Sequence, residues 1–231
     1  MSDIIQKKGT VLFFLGEKRT IPFLLLLAAC RPPGPVLLPP AEIRAVEGLA
    51  VLRIVRAEAS ARTKFGFTIA LPDRGRIDVL DPVGRTVLRF VVDGEEAFLV
   101  LLSKRVYARG GKDEVLERFI GFPVGLDELA GLLAGRWEAG GAALPGWTLE
   151  RDGRGRVAAG RRGDLSFAVQ EFFRGGGVPR KVSFRGPGGA GSVTLLQAAF
   201  NRGLAPLPSG FWERLRAVSW EEVERLLRDE D

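Results

Sequence analysis

The feature that most constrains this chain is a two-residue alternation of apolar and polar side chains, in short runs mostly separated by turn residues, that begins at Ala50 and recurs as far as Phe200. Successive side chains of a strand point to opposite faces of a sheet, so such runs specify strands with one buried face, and short spacing between them specifies antiparallel pairing. The runs are Ala50–Arg56, Ser60–Leu71, Arg76–Leu80, Thr86–Val92, Glu95–Leu102 and Arg105–Arg109, then Trp147–Arg151, Arg156–Ala159, Leu165–Phe173, Pro179–Arg185 and Ser192–Phe200. Asp93-Gly94, between two apolar runs, is a hairpin signal. About eleven antiparallel strands are therefore expected, in a mainly β fold.

The period changes once in the middle. Asp113–Ile120 spaces its apolar residues as a short helix, with acids in the first turn, and Leu126–Ala134 reads as a second helix that Gly135 ends. Helices inserted between two sets of strands predict a lid over the concave face of the sheet. Ser219-Trp220-Glu221-Glu222 has the form of a capping box and opens a third, carboxy-terminal helix, with Trp220, Val223 and Leu226 or Leu227 on one face.

The amino terminus has another character. Lys7, Lys8, Lys18 and Arg19 precede an apolar run, Phe23–Leu27, that leads into Ala28-Ala29-Cys30. This is the basic, greasy and small-residue order of an export signal, and it is too short to span a bilayer. Leu27-Ala28-Ala29-Cys30 matches the bacterial lipobox, in which the chain is cut before a cysteine that then carries lipid. The chain's single cysteine is followed by Arg31-Pro32-Pro33-Gly34-Pro35 and later by Pro39-Pro40, a composition suited to an extended tether. The expected organisation is a signal peptide at 1–29, a lipidated Cys30 with a Pro-rich tether at 30–41, and a barrel domain with its carboxy-terminal helix at 42–231.

Composition removes much chemistry. Of 231 residues none is histidine and one is cysteine, which excludes imidazole acid–base catalysis, two-cysteine zinc sites and internal disulfides. Serines lack a partner base or a nucleophile elbow, and Gly186–Ser192 is a hairpin loop without the lysine of a phosphate loop. Asp73, Asp78 and Asp81 sit beside Arg74, Arg76 and Arg85 as solvated charge pairs, and no enzyme, metal or cofactor is expected. The net charge of +6 favours anionic partners. The arginines between Arg151 and Arg162 have no aromatics among them for base stacking, so nucleic acid is not expected, and these arginines read as solvated turns or as contacts to anionic lipid or an acidic partner.

Large apolar residues concentrate on one sheet face: Phe65, Phe67, Ile69, Leu71, Ile77, Val79, Leu88, Phe90, Phe98 and Val100. Two readings stand at this point: an ordinary filled core, or an acyl-chain cavity beneath a helical lid.

Specific segments resemble a known family. Asp81-Pro82-Val83-Gly84-Arg85-Thr86 is followed by Leu88-Arg89-Phe90. Tyr107-Ala108-Arg109 then leads through Phe119-Ile120-Gly121-Phe122-Pro123-Val124 to Leu129 and Leu133-Ala134-Gly135. In order and spacing, over residues 76–135, these pieces resemble LolB, the outer-membrane lipoprotein receptors of the Lol pathway. The resemblance implies an incompletely closed barrel of about eleven strands with Leu116, Phe119, Ile120, Leu129 and Leu133 in its lid. It implies an acyl cavity that accepts lipoprotein cargo from a periplasmic LolA-like carrier, membrane attachment through the lipid on Cys30, and a monomer at the periplasmic face of the outer membrane. It also implies that the Pro82-Val83-Gly84 loop protrudes and assists membrane insertion; the family favours a bulkier leucine where this chain has Val83. A structural envelope lipoprotein with a filled core that docks a protein partner, and a carrier of other lipids, are the alternative expectations.

Overall fold

The computed structural model describes residues 36–55, 60–120, 124–139, 142–187 and 189–228. Cys30, the expected signal peptide and the first part of the tether lie outside these residues.

One large sheet dominates. Its strands are β1 (Ala45–Val55), β2 (Ser60–Ala70), β3 (Arg74–Leu80), β4 (Thr86–Asp93), β5 (Glu96–Leu101), β6 (Val106–Gly111), β9 (Thr148–Arg151), β10 (Val157–Arg162), β11 (Leu165–Phe172), β12 (Pro179–Gly186), β13 (Gly189–Phe200) and the two-residue β14 (Arg216–Ala217). The order across the sheet is β14-β6-β5-β4-β3-β2-β1-β13-β12-β11-β10-β9, so the barrel is not closed: β9 and β14 are its two edges. Eleven of these strands pair antiparallel, as expected, and β14 adds a parallel twelfth beside β6. A separate small hairpin, β7 (Glu138–Ala139) with β8 (Ala142–Ala143), has no alternating run long enough to announce it.

The halves join through the long central strand β1, which pairs with β2 from Ala45↔Ala70 to Val55↔Ser60 and with β13 on its other side. β1 begins five residues before the alternation suggested, because Gly48 breaks the pattern. The glycine is structural: a Cβ there would lie 2.3 Å from the Gln197 carbonyl oxygen and 2.9 Å from the Phe67 ring.

Helices α1 (Lys112–Ile120) and α2 (Leu126–Ala134) lie against the concave face. Val115 and Leu116 of α1 and Leu126, Ala130 and Leu133 of α2 enter the same buried cluster as Val46, Ile69, Phe90, Leu99 and Leu101 of the sheet. Gly135 stops α2 in the left-handed conformation at φ 72°, and a Cβ on it would meet the Gly177 carbonyl oxygen at 2.3 Å.

From Asn201 the chain crosses the outer face of β3–β6 as a strap. Arg76 donates to the Ala205 carbonyl (3.5 Å), Trp212 packs on Phe98 and Tyr107, and Arg216 and Val218 hydrogen-bond to the backbone of Arg105 and Tyr107. Helix α3 (Trp220–Arg228) follows, its Glu222 N–H donating to Ser219 Oγ at 3.3 Å. Val223 is fully buried in the main core, with Trp220 and Leu226 packed against it, while Leu227 is exposed.

The strap corrects one expectation. Phe98 and Val100 face it on the outer side of the sheet, not the concave face. The β4–β5 hairpin pairs Asp93 with Glu96, which sets Phe90 opposite Leu99 and Val91 opposite Phe98. Ala97, Leu99 and Leu101 therefore point inward and Phe98 and Val100 outward. The amino-terminal segment carries a second correction. Residues 36–41, expected to be tether, are laid against the domain: Leu37 donates to the Arg174 carbonyl (3.0 Å) and packs on the core, and Arg136 bonds the Pro40 carbonyl.

Candidate functional site: an apolar cavity beneath the lid

The inward side chains of a strongly curved sheet converge, and where the helices do not fill the space between them a cavity of about 310 Å³ remains. Such a volume is at the small end of ligand pockets, which span about 300–1,000 Å³. Its sheet wall is Leu52 and Ile54 from β1, Phe65 and Phe67 from β2, Ile77 and Val79 from β3, and Leu88 from β4; Val193, Val182, Phe184 and Phe167 supply the second half. Phe119, Ile120, Leu129, Leu132 and Leu133 roof it.

The strand registers explain this convergence. Phe65 sits opposite both Ala50 and Val79, Phe67 opposite Ile77, and Val79 opposite Leu88, so one row of inward positions runs without interruption across four strands. On the other side Leu52, Val193 and Val182 form the matching row. Two glycines let rings lie flat over the sheet: a Cβ on Gly191 would fall 2.5 Å from the Phe184 ring, and one on Gly160 would fall 2.4 Å from the Phe167 ring.

Of the ten sheet residues singled out in the sequence, Phe65, Phe67, Ile77, Val79 and Leu88 line the cavity. Ile69 and Phe90 are on the same face but lie in solid core, Phe90 directly beneath Phe119 with ring centroids 5.2 Å apart. Leu71 is at the far end of β2, beside a groove with Ile43 and Asp127. Among the lid residues Phe119, Ile120, Leu129 and Leu133 reach the cavity, and Leu116 is buried in the core.

A polar corner, missed in the sequence, closes one side. Glu128 of α2 accepts hydrogen bonds from the Gly125 N–H (2.9 Å) and the Trp147 indole N–H (3.0 Å), and pairs with Arg162. The Arg162 guanidinium lies over the Trp147 ring, 5.1 Å from its centroid. Arg162 is thus drawn inward from the group read as solvated turns. The Glu128 side chain is only 12% exposed, yet each of its oxygens accepts a hydrogen bond, so this charge at the cavity wall is compensated. Trp137 stacks on Phe167 at 3.9 Å, sealing the adjacent wall.

The cavity extends toward one end of the sheet. Val79 and Leu88 are the last inward positions before the β3–β4 loop, and Ile54 is the last of β1. The loop is rigid and projecting: Asp81 Oδ1 accepts from the Val83 and Arg85 N–H groups (3.0 and 2.8 Å), Arg85 Nε bonds Asp81 Oδ2 at 2.8 Å, and Gly84 takes φ 88°. These bonds hold the Asp81 carboxyl below its ordinary value, chiefly through the Arg85 backbone N–H. Val83, at the tip, is 75% exposed.

No family model matches the sequence, and no curated protein matches it. Solved structures do match its fold. A domain from Vibrio parahaemolyticus, described as an outer membrane lipoprotein-sorting protein domain, aligns with 74% of this chain and 90% of its own at 10% identity and a TM-score of 0.51. A LolA superfamily protein from Nitrosomonas europaea aligns with 73% of this chain and 89% of its own at 10% identity (TM-score 0.46). A DUF1329 family protein from Desulfovibrio piger covers 71% and 89% at 10% identity (TM-score 0.47). The resemblance to LolB in particular is not reproduced by these matches. The Vibrio parahaemolyticus match supports the fold alone, which in this chain is an open antiparallel barrel with helices in its concave face.

Proposed function

We propose that this protein is a lipid-anchored receptor that takes lipoproteins from a periplasmic carrier into its cavity and passes them to the outer membrane, as a monomer and without covalent chemistry. The observation that carries the proposal is the apolar cavity beneath α1 and α2, which runs toward an exposed apolar loop. An acyl chain entering it leaves water and gains about 0.8 kcal/mol for each methylene buried. No bond need break for cargo to move; the chain must bind more favourably here than in the carrier, and more favourably still in a bilayer. The lipobox at Leu27–Cys30 supports attachment at the periplasmic face of the membrane, and the fold shared with a lipoprotein-sorting domain supports the choice of cargo.

The cavity counts against a structural lipoprotein whose barrel is filled. Between lipoprotein cargo and other lipids the test is competition: a triacylated lipopeptide should displace a fluorescent acyl probe from the protein at lower concentration than phospholipid does. The reverse order would favour a lipid carrier.

A further inference from the structure

The end of the barrel that carries the Val83 loop also carries a block of positive charge among the described residues. On the outer face, the row of paired residues nearest this end runs Ser60–Val55–Ala190–Arg185–Ser166–Arg161 across β2, β1, β13, β12, β11 and β10. The next row contains Arg62–Arg53–Ser192–Ser183. Lys64 follows on β2, opposite Leu80, one residue from the loop. Arg53, Arg62, Lys64, Arg161 and Arg185 are all exposed; followed through Ala168 and Ala159 to the edge strand β9, the second row meets one acid, Glu150, five strands from Arg53. Among the described residues the acids nearest these cations are Asp164 in the β10–β11 turn and Asp81, the latter already bound by Arg85.

Arg53 directly opposite Arg62 is an arrangement that costs stability in a sheet, where like charges face each other across paired strands. The residues between the cations are serine, alanine and the single Val55, with no aromatic anchor or apolar cluster of the kind that dominates protein–protein interfaces. The exposed apolar side chains at this end are isolated: Val55, 46% exposed within the first row, and Val83 at the loop tip. Shallow cations flanking single apolar tips match a bilayer surface, where phosphates lie outside and hydrocarbon begins a few ångströms deeper.

We propose that this outer face is a docking surface for anionic phospholipid headgroups, which holds the barrel end-on to the membrane with Val83 and Val55 at the interface. The proposal rests on the delivery reading above and adds the lipid class and the residues that select it. The test is sedimentation of the full chain carrying Cys30→Ser with vesicles of phosphatidylcholine, with and without phosphatidylglycerol. The parent should bind vesicles containing phosphatidylglycerol more tightly, and added salt should abolish the preference. Combined Arg53→Ser, Arg62→Ser and Lys64→Ser should weaken that binding about 100-fold, at about fivefold per cation. Arg53→Glu, which converts the like-charge pair into an ion pair, should raise the melting temperature while lowering binding, so that loss of binding cannot be loss of fold. Equal vesicle binding by parent and triple variant would overturn the proposal. So would a triple variant that keeps vesicle binding but no longer accepts cargo, since the surface would then serve a protein. A triple variant that accepts cargo normally but binds no anionic vesicle supports the proposal and leaves the receptor reading independently standing.

Discussion

The phenyl ring of Phe119 stacks on that of Phe90, with centroids 5.2 Å apart and planes 8° from parallel, and this contact fastens the first lid helix to the floor of the sheet beside the cavity. Phe90 is fully buried and Phe119 half-buried, so the pair has one fixed partner and one that borders the open space. Phe119→Ala should destabilise the domain by about 2 kcal/mol, from lost burial and the aromatic contact, as read by denaturant melting. It should also enlarge the cavity and alter probe binding; an unchanged melt would mean that α1 does not depend on this contact.

Filling the cavity separates its volume from its surface chemistry. Val79 sits on the wall at the loop end, opposite Phe65 and Leu88. Val79→Trp places a large ring in the existing space, so the fold should survive while binding of a fluorescent acyl probe falls at least tenfold, as followed by titration.

The loop can be tested apart from the cavity. Val83→Glu leaves every cavity wall in place and puts a charge at the tip, where entry into hydrocarbon is costly. Cargo should still bind, and its release into membranes should slow; equal release by variant and parent would remove Val83 from the mechanism.

The packing of Phe184 depends on Gly191. A Cβ there would lie 2.4 Å from the Arg53 carbonyl oxygen as well as 2.5 Å from the Phe184 ring. Gly191→Ala should cost about 2 kcal/mol of stability by overpacking. A thermal melt equal to that of the parent would show that both the ring and the β1 backbone at Arg53 can give way.

The Asp81 carboxyl is held below its ordinary value of 3.8 by bonds to Arg85 and Val83. A depressed folded value means that the carboxylate stabilises the fold above pH 3.8, and that this contribution is lost as the pH falls through the lower, folded value. Asp81→Ala should therefore melt below the parent at neutral pH. The difference should shrink on acidification past 3.8, and a difference independent of pH would assign the effect to something other than the carboxylate.

The strand pattern was legible because alternation is local: most of the eleven antiparallel strands begin or end near a turn residue visible in the chain, although the start of β1 was hidden by Gly48. Phe65, Phe67, Ile77, Val79 and Leu88 could be placed on the cavity wall for the same reason. What alternation could not decide was phase across a hairpin. Phe98 and Val100 alternate as regularly as Phe90, and only the pairing of Asp93 with Glu96 turns them outward, beneath a strap whose course depends on Phe211 and Trp212 finding Arg89, Phe98 and Tyr107. Leu52, Val182, Phe184 and Val193 carried the same signal as the first-half residues and could have been read as lining. The Glu128–Trp147–Arg162 corner could not, because it joins positions up to 34 residues apart on a helix, a turn and a strand.

The central claim is that cargo changes hands, and the most direct measurement mixes the soluble protein lacking residues 1–30 with its cognate carrier loaded with a triacylated lipoprotein. The account predicts that the lipoprotein leaves the carrier and copurifies with this protein, and that Val79→Trp blocks the exchange. Cargo that stays on the carrier, with both proteins folded, would contradict it.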